Sequence, residues 1–157
     1  YKDFRHFCQT QHPKAGTLWS WMGADSKIVV NLFTQEAAYK HGEKPGRATL
    51  PHVNHALREL RHLIDSEKFT SLALPRLSTG VGGLEWDDVY PLVKQHLGDL
   101  TIPVYVYTSF HQALKRTKLN GFEGKDALPY FSHAKQNCTK IVLAKSIKNA
   151  PTIGTTK

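Results

Sequence analysis

The sequence predicts an α/β domain. Three observations carry that reading: short β-branched apolar runs with the period of strands, amphipathic stretches between them with the period of helices, and a glycine-rich segment at a strand-to-helix junction. In order, the first 110 residues read strand, strand, loop, helix, strand, glycine loop, helix, strand.

Gly16 to Gly23 (GTLWSWMG) and Lys27 to Thr34 (KIVVNLFT) are the first two strands. The turn-like connector Ala24-Asp25-Ser26 is short enough for a hairpin, which makes them antiparallel neighbours. Gln35 to Ala48 is polar, contains Gly42, Pro45 and Gly46, and has no sustained period, so it reads as a long loop. Thr49 then offers an N-cap with Pro51 close behind. Val53, Ala56, Leu57, Leu60, Leu63 and Ile64 follow at three- and four-residue steps, the pattern of an amphipathic helix. Its His52, His55 and His62 lack metal-site spacing and read as surface residues.

Thr70 to Leu77 (TSLALPRL) is apolar enough for a strand buried on both faces. Glu85 to Leu97 carries Trp86, Val89, Tyr90, Val93 and Leu97 at helical spacing with Gly98 as C-cap, although Pro91 argues against one unbroken helix. Thr101 to Tyr107 (TIPVYVY) is the next strand. Beyond Phe110 the pattern dissolves, and only Lys140 to Ile147 regains an apolar run. The closing NAPTIGTTK has the composition of a disordered tail.

With 157 residues the chain fits one domain, and no apolar run approaches the ~20 residues of a membrane-spanning helix, so no membrane partner is expected. Two distant cysteines, Cys8 and Cys138, form neither a zinc pattern nor a disulfide scaffold, which fits a cytoplasmic setting. A net charge of +8 favours polyanions. Much of the excess follows Phe110, so the organisation expected is a core over residues 1–110 and a basic extension over 111–157 that contacts nucleic-acid phosphates weakly.

Ligands of open α/β sheets bind outside the carboxyl ends of the strands. One such end is Thr34-Gln35, and another is Arg76-Leu77, which feeds Ser78-Thr79-Gly80-Val81-Gly82-Gly83. Glycines there permit positive φ and a close backbone approach, so successive N–H groups can face an oxyanion beside a helix N-terminus. The signal alone is not specific. Glycines also make ordinary turns, and this loop matches neither the dinucleotide fingerprint nor the P-loop. Leu84 and Trp86 read as core packing of the following helix.

LALPRLSTGVGGLEWDDVYPLV followed by TIPVYVY resembles the macrodomain family of ADP-ribose-binding proteins, with VVNLFTQ and the helix of Arg47 to Ile64 in the family's order before it. The resemblance covers Tyr1 to Phe110 and is greatest to the branch of terminal ADP-ribose protein glycohydrolases and ADP-ribose 1″-phosphate phosphatases. It implies a three-layer α/β/α mixed sheet. It also implies a ligand site of Thr34, Gln35, Arg76, Ser78, Thr79, Gly80, Val81, Gly82, Gly83 and Leu84, with Tyr107 or Phe110 stacking on adenine. Those two aromatics equally read as edge-strand residues covering the core.

The implied function is binding of ADP-ribose or of ADP-ribosylated protein or nucleic acid, with hydrolysis of a terminal phosphate or ADP-ribosyl group and no metal or other cofactor. The rivals are a non-catalytic reader and a degenerate domain with a structural role. No catalytic side chain is assigned. Glycohydrolases of this branch are expected to use a lysine where this chain has Gln35 and an aspartate where it has Gly82, and neither replacement does that chemistry. Ser78-Thr79-Gly80 matches instead the Ser-x-Gly of the phosphatases, and hence ADP-ribose 1″-phosphate processing.

The family's first strands and their motifs do not precede Tyr1, and YKDFRHFC resembles the segment after them. The sheet is therefore expected to lack those strands or to have them rearranged, through a fragment, a partner chain or a permutation. For the last, Ser132-His133 and Asn137-Cys138 resemble the family's histidine or asparagine strand, and Leu143 to Lys148 the helix after it.

Overall fold

A computed structural model describes residues 2–23, 27–38, 42–107 and 138–144. Helix α1 (Lys2–Gln11) precedes the hairpin strands β1 (Leu18–Met22) and β2 (Lys27–Phe33). Helix α2 (Leu50–Ser66), strand β3 (Ser71–Pro75), helix α3 (Trp86–Leu97) and strand β4 (Val104–Tyr107) follow, and β5 (Cys138–Ala144) is last. The spatial order is β1-β2-β5-β3-β4, with β3 and β4 parallel and every other pair antiparallel.

Local chemistry fixes the helix ends. The Thr49 side chain accepts the His52 N–H, Pro51 occupies the first turn where no backbone donor is needed, and the Gly98 N–H closes α3 on the Lys94 carbonyl. Pro91 does not break α3, contrary to the sequence expectation. It sits on the exposed side, and packing of Val89, Val93 and Leu97 carries the helix past the one hydrogen bond it removes.

Register alternates the strand side chains between two faces. Ile28, Val30, Leu32, Leu72, Leu74, Ile141 and Leu143 meet Val53, Ala56, Leu57, Leu60 and Ile64 of α2 and Val89, Val93 and Leu97 of α3 in one buried cluster. Trp19 and Phe33 point the other way, where Phe4 and Phe7 of α1 pack against them at centroid distances of 5.3 to 6.3 Å. The chain is thus a three-layer α/β/α domain. β3 corrects one expectation, because only Leu72 and Leu74 are fully buried while Ser71, Ala73 and Pro75 on the second face are half-buried. Among the described residues α1 covers that face only at the β1–β2 corner.

The two covering helices are tied at their far ends. Arg61 of α2 bonds both carboxylate oxygens of Asp65 at 2.9 Å, the His96 carbonyl at 3.0 Å, and Asp99. The bond from Arg61 holds the Asp99 carboxyl below the usual range. His96, 2.7 Å from Asn54, is pushed down by burial first and by Arg58 and Arg61 second, which favours its neutral form in the folded state.

The place of β5 agrees with the expectation of missing or rearranged strands, although the helix expected from Leu143 does not begin there. β2 and β3 do not pair with one another; β5 enters between them, matching β2 from Lys27↔Ala144 to Phe33↔Cys138 and β3 over Ser71↔Ala144 to Ala73↔Val142. Central edges that would otherwise be open ladders are thereby paired. Leu143 and Ala144 are accordingly strand residues rather than the start of a helix, while Ser132, His133 and Asn137 lie outside the described residues. A buried central strand predicts a core cost: Leu143→Ala should lose about 2–5 kcal/mol and Ile141→Val about 0.5–1.5 kcal/mol in urea unfolding. Losses near zero for both would show that β5 does not occupy the middle of the sheet.

Candidate functional site

The carboxyl ends of β2 and β3 converge, as the sheet rule requires. Thr34 and Gln35 leave β2, Arg76 and Leu77 leave β3, and the Ser78 hydroxyl donates to Thr34 Oγ1 across the gap at 2.8 Å. Thr34, Gln35 and Ser78 are all buried, so this polar seam lies at the floor of the site. Ser78 has φ 57°, in the left-handed region that a non-glycine residue enters at a cost. Its hydroxyl bond and the Leu84 N–H to Ser78 carbonyl bond, 3.1 Å, hold it there.

Above the floor the glycine loop is stitched to the base of the long loop. Gln35 bridges to Ala48, the Gly46 N–H bonds the Glu36 carbonyl at 3.1 Å, and the Ala48 N–H bonds the Gly82 carbonyl at 3.1 Å. Gln35 Nε2 donates to the carbonyl of Gly46 at 3.1 Å and, in a weaker contact, to that of Val81 at 3.5 Å. The Val81 and Gly82 carbonyls are therefore committed to the long loop. Apart from Gly83 to Gly80 O, 3.1 Å, no N–H of Thr79, Gly80, Val81 or Gly82 finds a partner among the described residues. Four successive uncommitted amides are the makings of an anion nest.

Two glycines show why this loop needs its composition. A Cβ on Gly82 would lie 2.4 Å from the Ser78 carbonyl oxygen and 3.0 Å from Ala48 Cβ. Gly83 has φ 73°, where a side chain is strained even in open space. The aspartate that the resemblance places at Gly82 has no room here, whatever its chemistry.

Among the flanking residues, the Arg76 guanidinium lies 5.9 Å from the Trp86 ring centroid, and Trp86 and Leu84 rest half-buried against the core. No side chain caps the first turn of α3, but Asp87 and Asp88 stand in it, so an anion here would depend on the loop amides more than on the helix end. Tyr107 ends β4 at 62% exposure, beside Pro75 on the second face; Phe110 lies outside the described residues. Glu36 Oε1 is 3.5 Å from His52 Nε2 on the outer side of the long loop. No group of three or more His, Cys, Asp or Glu among the described residues is arranged to hold a metal ion, and none of their helices is long and apolar enough to cross a membrane.

Two features escaped the sequence reading: α1, and the place of Gln35 at the joint between the loops. Phe4, Phe7 and Cys8 have the spacing of a helical face and could have revealed the first. The second depends on carbonyls 11 and 46 residues away, for which no local signal exists.

No family model matches the chain. A DNA ADP-ribosyl transferase-DNA ADP-ribosyl glycohydrolase fusion protein of Thermosipho africanus (strain H17ap60334) is 35% identical over 68 residues, which are 43% of this chain and 18% of the relative. The chain thus matches less than a fifth of that relative's length. Among solved structures, the macrodomain of Thermus aquaticus DarG has a TM-score of 0.57 at 24% identity, covering 69% of this chain and 71% of its own. The macrodomain of Mycobacterium tuberculosis DarG has 0.58 at 20%, covering 69% and 70%. Thermosipho africanus DarTG in complex with ADP-ribose has 0.58 at 25%, covering 73% and 32%. With the order of the elements and the glycine loop in agreement, the chain has the fold of these macrodomains.

Proposed function

We propose that the chain binds the ADP-ribose unit of an ADP-ribosylated substrate, with the diphosphate in the loop from Ser78 to Leu84. The observation that carries this is the run of amides from Thr79 to Gly82 with no backbone partner among the described residues, beside Val81 and Gly82 carbonyls that are committed to the long loop. Backbone N–H groups suit a diphosphate, and Thr34 and Gln35 line the same floor where a ribose would follow. Tyr107 is the described candidate for adenine stacking. The relative's name supports ADP-ribosylated DNA as the polymer, and the net charge of +8 suits one.

The reaction proposed is hydrolytic removal of the ADP-ribosyl group or of a terminal phosphate. In it the loop holds the diphosphate and orients water toward the distal ribose, so catalysis rests on positioning and electrostatics. A second reading, a reader that holds ADP-ribose without turnover, is favoured by two observations. The amide of Gln35 is committed to backbone carbonyls, and Gly82 is walled by Ser78 and Ala48.

Calorimetry with ADP-ribose tests the shared claim, and absence of heat at high micromolar ligand would refute it. Incubation with ADP-ribosylated DNA and with ADP-ribose 1″-phosphate then separates the readings: release of ADP-ribose or phosphate supports the hydrolase, and intact substrate supports the reader. Gly82→Asp should displace the loop and weaken ADP-ribose binding by at least about tenfold. Unchanged affinity would remove the loop from the site.

A further inference from the structure

Gln35 offers the ligand one kind of atom only. Both neighbours of its Nε2, the Gly46 and Val81 carbonyls, are pure acceptors, so the amide has one admissible orientation. That orientation leaves Oε1 on the opposite side. Oε1 takes no hydrogen bond among the described residues, yet it is not a sealed buried atom lacking a partner. It is a fixed acceptor with an edge open to solvent, on the residue next to the Thr34–Ser78 seam.

We propose that Gln35 is a specificity-determining residue that selects, beyond the diphosphate, a group bearing a hydroxyl donor and disfavours a further phosphate. This rests on the reading of the loop as a diphosphate site. A sugar hydroxyl donates to Oε1, whereas an ionised phosphate oxygen brings a second acceptor against the first and leaves both unpaired. The loop amides take any diphosphate alike. The choice between a nucleoside diphosphate continuing into a sugar and one continuing into phosphate falls to Gln35, in the place where the resemblance would put an attacking lysine. There the residue acts as a strut and a selector, because its donor is already committed.

Three probes of equal core, ADP, ATP and ADP-ribose, titrated into the whole chain by calorimetry, test this. The wild-type chain should bind ADP-ribose about 3- to 10-fold more tightly than ADP, as one added hydrogen bond allows, and ATP no more tightly than ADP. Gln35→Met removes the acceptor and should bring the ADP-ribose to ADP ratio near one. Gln35→Glu keeps acceptor oxygens but loses the donor that joins the loops, so it should weaken both ligands together and preserve the ratio. Reading ratios within each variant separates selection from general loosening of the loop. Equal wild-type affinity for ATP and ADP-ribose, or an undiminished ratio in Gln35→Met, overturns the proposal while leaving the diphosphate site standing. Binding of none of the three probes overturns that site, and the proposal with it.

Discussion

β2 and β3 end side by side, sharing a polar seam at Thr34 and Ser78, although no backbone ladder joins them. β5 makes this arrangement possible. It pairs with β2 along seven residues and with β3 along three, and it buries Ile141 and Leu143 in the cluster that also receives α2 and α3. The short ladder on the β3 side covers Ser71 to Ala73 and stops before Leu74. The ladder to β4 carries Leu74 and Pro75, and from there to Ser78 the chain is positioned by burial of Leu77 and by the hydroxyl bond across the seam. Sheet pairing thus sets the spacing of the strands, and side-chain chemistry sets the site at their ends.

The loop chemistry follows from that spacing. Once β2 and β3 are held apart by one strand, the segments leaving them can meet only through longer connections, and Gln35 with Ala48 supplies these to the glycine loop. The carbonyls of Val81 and Gly82 are committed to the long loop, while the N–H groups of Thr79 to Gly82 have no backbone partner among the described residues. The close approach of Gly82 to Ser78 and Ala48 is the steric counterpart of the same stitch. One arrangement accounts for the glycine at position 82, the committed glutamine at position 35 and the open row of donors between them.

Features encoded within a few residues were legible in the sequence. Thr49, Pro51 and the apolar steps from Val53 to Ile64 specify α2 because capping and amphipathic period are local properties. The glycine loop was visible for the same reason, and the residues that the resemblance grouped with it, Thr34 and Gln35, are its neighbours in the fold. The central place of β5 was not legible, since KIVLA reads as an apolar run wherever it pairs, and pairing over more than a hundred residues of separation has no period. Burial of β3 on one face rather than both was missed for a related reason. Ala73 and Pro75 are apolar in sequence, but what covers them depends on neighbours far along the chain.

The central claim is that the amides of Thr79 to Gly82 are a preformed anion nest, and their hydrogen exchange measured by NMR in the free and ADP-ribose-loaded chain addresses it directly. The account predicts fast exchange of these four amides in the free chain, in keeping with their having no backbone partner among the described residues, and marked slowing of the same four on addition of ADP-ribose. Unchanged exchange at all four in the presence of saturating ADP-ribose would contradict it.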